Sequence, residues 1–221
     1  MTLKKDILTS IIGVAVLTLA LGIAYPLLIT GVSQVAFPGN ANGQQVHVGG
    51  KLVASKIIGQ SFADPVVNQT TGKVKLDSNG NPVTTPDPRY FQTRPSGTVP
   101  SANAAATTFS NLGPNDVATK DAILANIRSY LALEKPYDPA LTIAAIPVDA
   151  VNTSASGIDP DISVANADIQ AHRIAAVRRL SLARVHRLIS AYTAGRGLGF
   201  SGEPSVDVVE LNLALYRLAG R

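Results

Sequence analysis

The chain begins with one long apolar run, and charged residues return only far downstream of it. Residues 7–29 are dominated by Ile, Leu, Val, Ala and Gly, and no Asp, Glu, Lys or Arg occurs between Asp6 and Lys51. A helix of this length would measure about 34 Å, whereas the hydrocarbon core of a bilayer is about 30 Å thick. The pattern predicts a transmembrane helix over residues 7–32, with a tail over 1–6 and an exit loop over 33–50.

Two lysines indicate the orientation of this helix. Lys4 and Lys5 precede the apolar run, and the next cation is Lys51. The positive-inside rule therefore predicts a cytoplasmic N-terminus and an extracytoplasmic C-terminal domain, anchored in the cell inner membrane by a single pass. The competing interpretation is a cleaved signal peptide, but the run is longer than an ordinary signal core and no clear cleavage site follows it.

Small residues within the apolar run suggest contacts with other helices. Thr18 and Gly22 lie four positions apart, as do Ala20 and Ala24, and such pairs let helix backbones approach closely in lipid. The alternative is that small residues are simply common in membrane helices. Pro26 lacks an N–H and is expected to kink or end the regular helix.

The remainder, residues 51–221, alternates between helical and strand-like patterns. Capping residues and helical spacing predict three helices: from Asn115 or Asp116 to about Glu134, from Ser163 to about Arg179, and from Ser181 to Tyr192. Strands are predicted over 51–58 and 141–148, and residues 206–216 begin like a strand but could end as a helix. The predicted fold is a single N-terminal transmembrane helix followed by a mixed α+β soluble domain.

Two polar segments interrupt this domain. Residues 66–88 are rich in turn formers and contain Asn79-Gly80 between short β-like runs, which predicts a surface excursion with a hairpin. Residues 195–202 (GRGLGFSG) resemble a dinucleotide-binding loop in their glycine spacing. They follow a predicted helix instead of a strand, however, so an ordinary loop is favoured.

Composition excludes several classes of function. The chain has no Cys, which rules out a disulfide scaffold, thiolate catalysis and Cys-ligated zinc. It has no Trp and only 5% aromatic residues, which argues against a stacking surface for single-stranded nucleic acid. A net charge of +4 is too small to indicate a polyanionic partner. We therefore expect no nucleic-acid partner.

No set of residues forms a recognisable catalytic or metal motif. The histidines lack metal-ligand spacing and are expected at the surface or in loops; they are His47, His172 and His186. Ser61 lies in a near match to a nucleophile elbow, although a strand end is the better interpretation. Asp159 and Asp161 could act in acid–base chemistry or bind a cation, but such residues more often organise turns.

Five arginines gather in the predicted helices near the C-terminus, and they are Arg173, Arg178, Arg179, Arg184 and Arg187. The cluster could contact lipid head groups or an acidic partner. The alternative is that these residues lie on two solvated helix faces. The residues alone therefore indicate an anchored domain without a catalytic centre.

Several unusual strings occur in a fixed order along nearly the whole chain. They are Tyr25-Pro26-Leu27-Leu28, Gln34, Phe37-Pro38, residues 57–62 (IIGQSF), 90–96 (YFQTRPS), 110–114 (SNLGP), 153–160 (TSASGIDP), 202–204 (GEP) and 209–215 (VELNLAL). No single string is decisive, but the ordered set closely resembles the KdpC family of subunits of a potassium-transporting P-type ATPase.

The resemblance implies an accessory subunit of an ATP-driven, high-affinity potassium uptake complex. Its implied partners are a potassium-channel-like subunit, a P-type ATPase subunit and a small peptide subunit, together with membrane lipid. The complex would use ATP and potassium, and this chain would act as a catalytic chaperone that raises the ATP affinity of the ATPase subunit. The resemblance implies that Gln60 is the residue involved in that role. The predicted extracytoplasmic domain argues against direct contact with cytoplasmic ATP.

The chain departs from the family pattern at two places. Residues 66–88 form an insertion between motifs that normally lie close together, and the glycine-rich motif usual before SNLGP is weakened to Thr107-Thr108-Phe109. Two other classes of function stay open as alternatives. One is a membrane-anchored extracytoplasmic enzyme that uses Ser61 or the Asp159/Asp161 pair, and the other is a ligand-binding module.

Overall fold

The computed structural model describes residues 3–78, 80–98, 102 and 112–219. The chain divides into two compact units, Met1–Val53 and Ala54–Arg221. A long apolar helix dominates the first unit, and the second is a mixed α+β domain. This arrangement confirms the predicted fold class.

The N-terminal helix extends from Leu3 to Ala36 and is long and apolar enough to cross a bilayer. It consists of α1 (Leu3–Leu17), a π-helical segment (Thr18–Ala24) and α2 (Tyr25–Ala36). None of its residues is buried. Apolar side chains of this kind are stable only against lipid or other apolar helices.

Pro26 neither ends the helix nor leaves it regular. The helix continues through Pro26 to Ala36, and the π-helical segment lies immediately before α2. Pro26 cannot donate to the preceding turn, and in an α-helix its ring would clash with the carbonyl of Gly22. The wider π turn accommodates both effects, so the irregularity expected at Pro26 falls on the seven residues Thr18–Ala24.

The segment after the helix contains more structure than the exit loop predicted over 33–50. Helix α2 continues to Ala36, a single helical turn, α3, covers Pro38–Ala41, and β1 covers Gln45–Val48. β1 forms a two-stranded sheet with β2 (Lys51–Ser55). The strand predicted over 51–58 therefore ends three residues early.

Three helices of the second unit begin at the capping residues that the sequence predicts. Asp116 accepts a hydrogen bond of 2.7 Å from the Ala118 N–H at the start of α4 (Val117–Glu134). Ser163 caps α5 (Val164–Arg178), and Ser181 caps α6 (Leu182–Ala191). These contacts satisfy backbone donors that the first helical turn leaves free.

A small antiparallel sheet connects these helices. Its strands are β5 (Asp161–Ser163), β6 (Thr193–Ala194) and β7 (Ser205–Asp207), in the order β5-β7-β6. The register aligns Ile162 with Val206, and Val206 with Thr193. α7 (Val208–Ala219) follows β7 directly, so the prediction that the last segment begins as a strand and ends as a helix is confirmed.

The hydrophobic core lies where α5, α6 and α7 pack against this sheet. Its buried members are Phe91, Ile162, Ala167, Ala171, Ile174, Val185, Ile189, Val206, Val208, Leu211 and Leu215. Phe91 enters this core from an extended segment more than seventy residues before α5. The core therefore fixes the position of that segment against the helices.

The strand predicted over 141–148 is wrong. Two 3₁₀ turns replace it, Ile143–Ala145 and Val148–Ala150, and only Leu141 of the run is buried. Pro147 lacks the N–H that a ladder position requires, and the short turns satisfy the remaining backbone groups locally. An apolar run without alternation does not by itself distinguish these outcomes.

Residues 66–83 leave the domain through a narrow neck. Strands β3 (Ala63–Pro65) and β4 (Thr84–Pro86) pair antiparallel, with Pro65 opposite Thr84. Beyond them the chain folds on itself through hydrogen bonds of 2.8 Å that join Val66, Lys75 and Val83. Most of its side chains are exposed, as expected for a surface excursion, while Asn79 of the predicted hairpin lies outside the described residues.

Candidate functional site

Arg173 is the centre of a buried polar network in the second unit. Its side chain is fully buried, and its Nε donates to both carboxylate oxygens of Glu134, at 3.0 and 3.1 Å. The other guanidinium nitrogens donate to the carbonyls of Pro88 and Tyr90 and to Oε1 of Gln170. Arg173 on α5 thus binds α4 and the segment before Phe91.

This burial corrects the description of the arginine cluster. Arg173 belongs neither to a solvated face nor to a surface that could bind lipid or an acidic partner. Arg178 is half-buried, with its guanidinium carbon 4.7 Å from the centre of the Tyr90 ring. Arg179, Arg184 and Arg187 are exposed, so only these three retain the surface placement that the sequence suggested.

Two side-chain amides hold the extended segment that begins at Tyr90. Asn212 on α7 accepts from the Phe91 N–H and donates to the Phe91 carbonyl, both at 2.8 Å. Gln170 on α5 accepts from the Gln92 N–H at 2.7 Å and donates to the Gln92 carbonyl at 3.0 Å. Each amide therefore satisfies both backbone groups of one residue, in the way that a neighbouring strand would.

The network continues from Gln170 to the start of α5. Gln170 donates to Oδ1 of Asn166 at 3.0 Å, and the Tyr130 hydroxyl donates to the same oxygen at 2.9 Å. Asn166 in turn donates to Asp149, which also accepts from the backbone and hydroxyl of Ser163. Burial raises the pKa of the Tyr130 hydroxyl above its ordinary value, so it stays protonated as a donor.

Glu134 is the acidic member of this network. Burial raises its pKa to about 6, although the neighbouring Arg173 charge acts in the opposite direction. A buried carboxylate needs its charge and its lone pairs satisfied, and Arg173 supplies both needs from one side. Removal of either partner would leave the other charge buried and unpaired, so the two residues couple α4 to α5.

The string around Gly59 meets the 153–160 string through backbone contacts. The Gly59 N–H donates to the Ile158 carbonyl at 2.7 Å, and a Cβ at Gly59 would lie 2.5 Å from the Asp159 carbonyl oxygen. Only glycine fits this approach. Gln60, the residue implied in the effect on ATP affinity, is half-buried beside this contact.

Asp159 and Asp161 are engaged in local structure. Asp159 accepts from the Asp161 N–H at 3.0 Å and pairs with Arg94 at 3.2 Å. Asp161 pairs with Asp207 in the strand register, and burial together with the Asp159 charge raises its pKa. These contacts favour the turn-organising interpretation over an acid–base pair. Ser61 is exposed, and nothing in its described contacts gives it the geometry of a nucleophile.

The histidines do not assemble into a metal site. His47 is exposed on β1, and His172 and His186 are half-buried on α5 and α6. Nδ1 of His186 lies 3.1 Å from Asp168. In the described part of the chain, no group of three or more His, Asp or Glu side chains could hold a metal ion.

A cleft of about 220 Å³ lies between the extended segment, α4 and the neck formed by β3 and β4. Among its described lining residues, Arg94 is the only charged one, and Ser61, Gln92 and Tyr130 supply polar groups. Nε of Arg94 is buried and has no hydrogen-bond partner in the described residues. The cleft brings two of the family-like strings together, 57–62 and 90–96, without forming a reactive centre.

The sequence alone did not reveal the residues that carry this network. Asn166, Gln170 and Arg173 recur at intervals of four and three along α5, on the same face as the buried Ala167 and Ile174. Polar residues repeating on an inward face are the signal that could have indicated a buried network. The weakened motif at Thr107-Thr108-Phe109 lies outside the described residues, as do Ser110 and Asn111 of the SNLGP string.

In the N-terminal helix, the predicted packing residues share one segment. Thr18, Ala20, Gly22 and Ala24 all lie in the π-helical stretch, and all are exposed. Among the described atoms, a Cβ at Gly22 would meet only the methyl group of Thr18, at 3.8 Å. This stretch could therefore accept a closely approaching helix.

Comparison with known proteins places these features in a family context. A family model described as "KdpC: K+-transporting ATPase, c chain" matches residues 7–217. A protein of Methylococcus capsulatus named "Potassium-transporting ATPase KdpC subunit" is 44% identical over 202 residues, covering 91% of this chain and 92% of that protein. Proteins of the same name from Methylobacterium nodulans and Koribacter versatilis are 44% and 36% identical, with at least 95% of each chain covered.

Proposed function

The chain belongs to the KdpC family, the c chains of K+-transporting ATPases, and from this premise we propose that it is a non-catalytic accessory subunit that stabilises an ATP-driven, high-affinity potassium uptake complex. The observation that carries the proposal is an apolar helix of 34 residues with none of them buried, in a chain that matches the family from residue 7 to residue 217. The buried polar network supports a structural role for the second unit, because its polar side chains hold each other and the backbone.

The N-terminal helix anchors the subunit and packs on a partner helix. Its contact segment holds Thr18 and Gly22 on one side and Ala20 and Ala24 on the other, with Pro26 following it; we assign the contact face to the side of Thr18 and Gly22. Small side chains allow close backbone approach in lipid, where association depends on van der Waals packing. The partners are the potassium-channel-like subunit, the P-type ATPase subunit and the small peptide subunit of the complex.

The helix crosses the inner membrane with its N-terminus in the cytoplasm. Lys4 and Lys5 lie at the start of α1, and no further cation occurs before Lys51. The second unit is therefore extracytoplasmic. Protease added to intact spheroplasts is expected to degrade the second unit, whereas protection from the protease would contradict this orientation.

The effect of the subunit on ATP affinity is transmitted through its contacts within the assembled complex. The complex uses ATP and potassium, and this chain acts as a catalytic chaperone without holding nucleotide itself. Gln60 lies next to the close contact between Gly59 and Asp159, where a change would disturb the packing of two family-like strings. Replacement Gln60→Ala is expected to raise the KM for ATP of the complex while leaving the amount of assembled complex unchanged; an unchanged KM would remove Gln60 from this role.

Co-purification tests the proposed function directly. The tagged chain, extracted in mild detergent from cells that produce all subunits, is expected to bring a P-type ATPase subunit with it. Gly22→Ile is expected to reduce that recovery by obstructing the contact face, whereas Gly13→Ile, the same change in α1, serves as the matched control. Deletion of the gene is expected to abolish growth at micromolar potassium, and unaffected growth would overturn the proposal.

A further inference from the structure

The loop between β6 and β7 is an arm that is closed by hydrogen bonds and carries an apolar tip. Arg196 and Glu203 form an ion pair of 2.7 Å across its base. Further out, Gly197 and Ser201 exchange two backbone hydrogen bonds of 2.8 Å each. Leu198 and Phe200 lie beyond this closure and are 91% and 74% exposed. We call residues 197–201 the tip.

The backbone of the tip has a conformation that is unfavourable for Leu198. Leu198 has a φ of 52° and Gly199 a φ of 83°, and the Phe200 N–H donates to the Gly197 carbonyl at 3.2 Å. Positive φ at both central residues is the pattern of a type I′ turn, which strongly prefers Asn-Gly. A leucine in the left-handed region is strained, since its Cβ approaches the carbonyl oxygen.

Among the described residues of the second unit, no contact offsets the strain or the exposure of Leu198. A polar residue such as Asn would relieve the strain and would also remove apolar surface from water. The arrangement instead presents two large apolar side chains, two positions apart, on a support that is closed by hydrogen bonds. Burial of these side chains in a partner would offset both unfavourable terms.

We propose that the tip is a docking element that inserts Leu198 and Phe200 into an apolar pocket on another protein subunit of the potassium-transporting complex. This inference rests on the proposed function and adds a second contact, in the second unit, to the one made by the membrane helix. A turn that hydrogen bonds already close loses less conformational entropy on binding than an open loop, which favours its use as an anchor.

The charge of the arm favours a protein pocket over a lipid surface. Residues 195–204 contain one cation, Arg196, and one anion, Glu203, and these pair with each other. Loops that bind anionic bilayers combine apolar side chains with an excess of Lys and Arg. The arm has no such excess, so its apolar tip fits a hydrophobic protein surface.

The test compares assembly of the wild-type complex with that of two variants. Leu198→Asn keeps the turn, because Asn-Gly is its preferred pair, and Leu198→Asn combined with Phe200→Ser removes both apolar side chains. Val148→Asn changes a similarly exposed residue on a 3₁₀ turn and serves as the control. We expect the double variant to weaken recovery of the other subunits about tenfold or more, and the control to leave it unchanged.

A second measurement separates the tip from general instability. The thermal midpoint of the full-length Leu198→Asn chain in detergent is expected to equal or exceed that of the wild type, because the turn is relieved of strain. A photoreactive phenylalanine analogue at position 200 of the assembled complex is expected to cross-link to a protein subunit. Cross-links to lipid only, or none, would overturn the inference.

The outcomes distinguish this inference from the proposed function. If the wild-type chain recovers no other subunit, the proposed function and the docking inference both fail. If the wild-type chain recovers the complex and the double variant recovers it equally well, the proposed function stands and the docking inference is overturned.

Discussion

The side-chain amide of Asn212 forms two hydrogen bonds with the backbone of Phe91, each 2.8 Å long, across 121 residues of sequence. Asn212 is in the C-terminal helix, and Phe91 is in an extended segment whose ring enters the core. The contact therefore fixes the depth at which Phe91 is inserted. It also explains why a polar residue is tolerated on the buried face of α7.

Replacement of Asn212 should destabilise the protein more than the loss of an ordinary polar side chain. Asn212→Ala leaves the buried N–H and C=O of Phe91 without partners, and the expected decrease in the free energy of unfolding is about 2–4 kcal/mol. Thermal unfolding of the full-length chain in detergent, followed by circular dichroism, measures this change. Asn115→Ala, at an exposed turn, is the control. A decrease equal to that of the control would show that Phe91 does not need the amide.

Because Arg173 and Glu134 form a buried pair, we expect the stability losses on replacing them to be strongly non-additive. Arg173→Met leaves Glu134 buried without its counter-charge and removes donors from Pro88 and Tyr90. The expected loss of stability is about 3–5 kcal/mol. Combining it with Glu134→Leu should restore part of that loss, because no unpaired charge remains. The same unfolding measurement applies to both variants, and additive losses would contradict a coupled pair.

The carboxyl of Asp207 is expected to cause part of the dependence of stability on pH. Burial raises its pKa from the ordinary value of 3.8 to about 6. The folded state binds this proton more tightly than the unfolded state, so the stabilising contribution is complete below about pH 4 and is lost as the pH rises through about 6. Glu134, with its pKa also raised to about 6, acts in the same direction.

Asp207→Asn should therefore flatten the profile of stability against pH between about 4 and 6. The side-chain oxygen of Asn can still accept the hydrogen bond that Asp207 receives from the Glu210 N–H, so the start of α7 is preserved. The thermal midpoint measured at a series of pH values tests this, with Asp121→Asn at an exposed helix position as control. An unchanged profile for Asp207→Asn would exclude this carboxyl as a source of the dependence.

Position 59 should not tolerate even the smallest side chain, the methyl group of alanine. A Cβ there would meet the Asp159 carbonyl oxygen at 2.5 Å, so Gly59→Ala forces two backbone segments apart. We expect a loss of about 1–3 kcal/mol in the free energy of unfolding. Gly113→Ala is the matched control, because no atom of the described residues lies within 4 Å of a Cβ at that position. Equal stability of the two variants would mean that the 57–62 and 153–160 strings do not depend on this approach.

Local signals in the sequence predicted the helices, whereas contacts between residues far apart in the chain could not be predicted from it. Asp116, Ser163 and Ser181 were recognisable as caps because each bonds a backbone N–H only two or three residues away. The burial of Arg173 could not be predicted in this way, since its partners Glu134 and Pro88 lie 39 and 85 residues distant. The same limit applies to Gln170, whose backbone partner Gln92 lies 78 residues away.

For the candidate site, too, the sequence indicated some features and not others. The ordered strings identified the family, although their pattern carried no statement of what each residue does. In the structure, Phe91 and Gln92 of one string are held by amides, and Gly59 of another is fixed by a backbone contact. Much of the resemblance therefore reflects residues that keep separate segments in register. The apolar run at 141–148 misled the prediction because hydrophobicity without alternation does not specify a strand.

The paired strands β3 and β4 bring the two ends of the surface excursion side by side, with Ala63 opposite Pro86. The protein can therefore be shortened or extended between these ends without moving any residue of the core, and a fluorescent or affinity tag inserted there would leave both the membrane helix and the C-terminal helix untouched. We expect length variation at this position to leave the core unchanged, so the excursion offers a point from which to label the subunit inside an assembled pump.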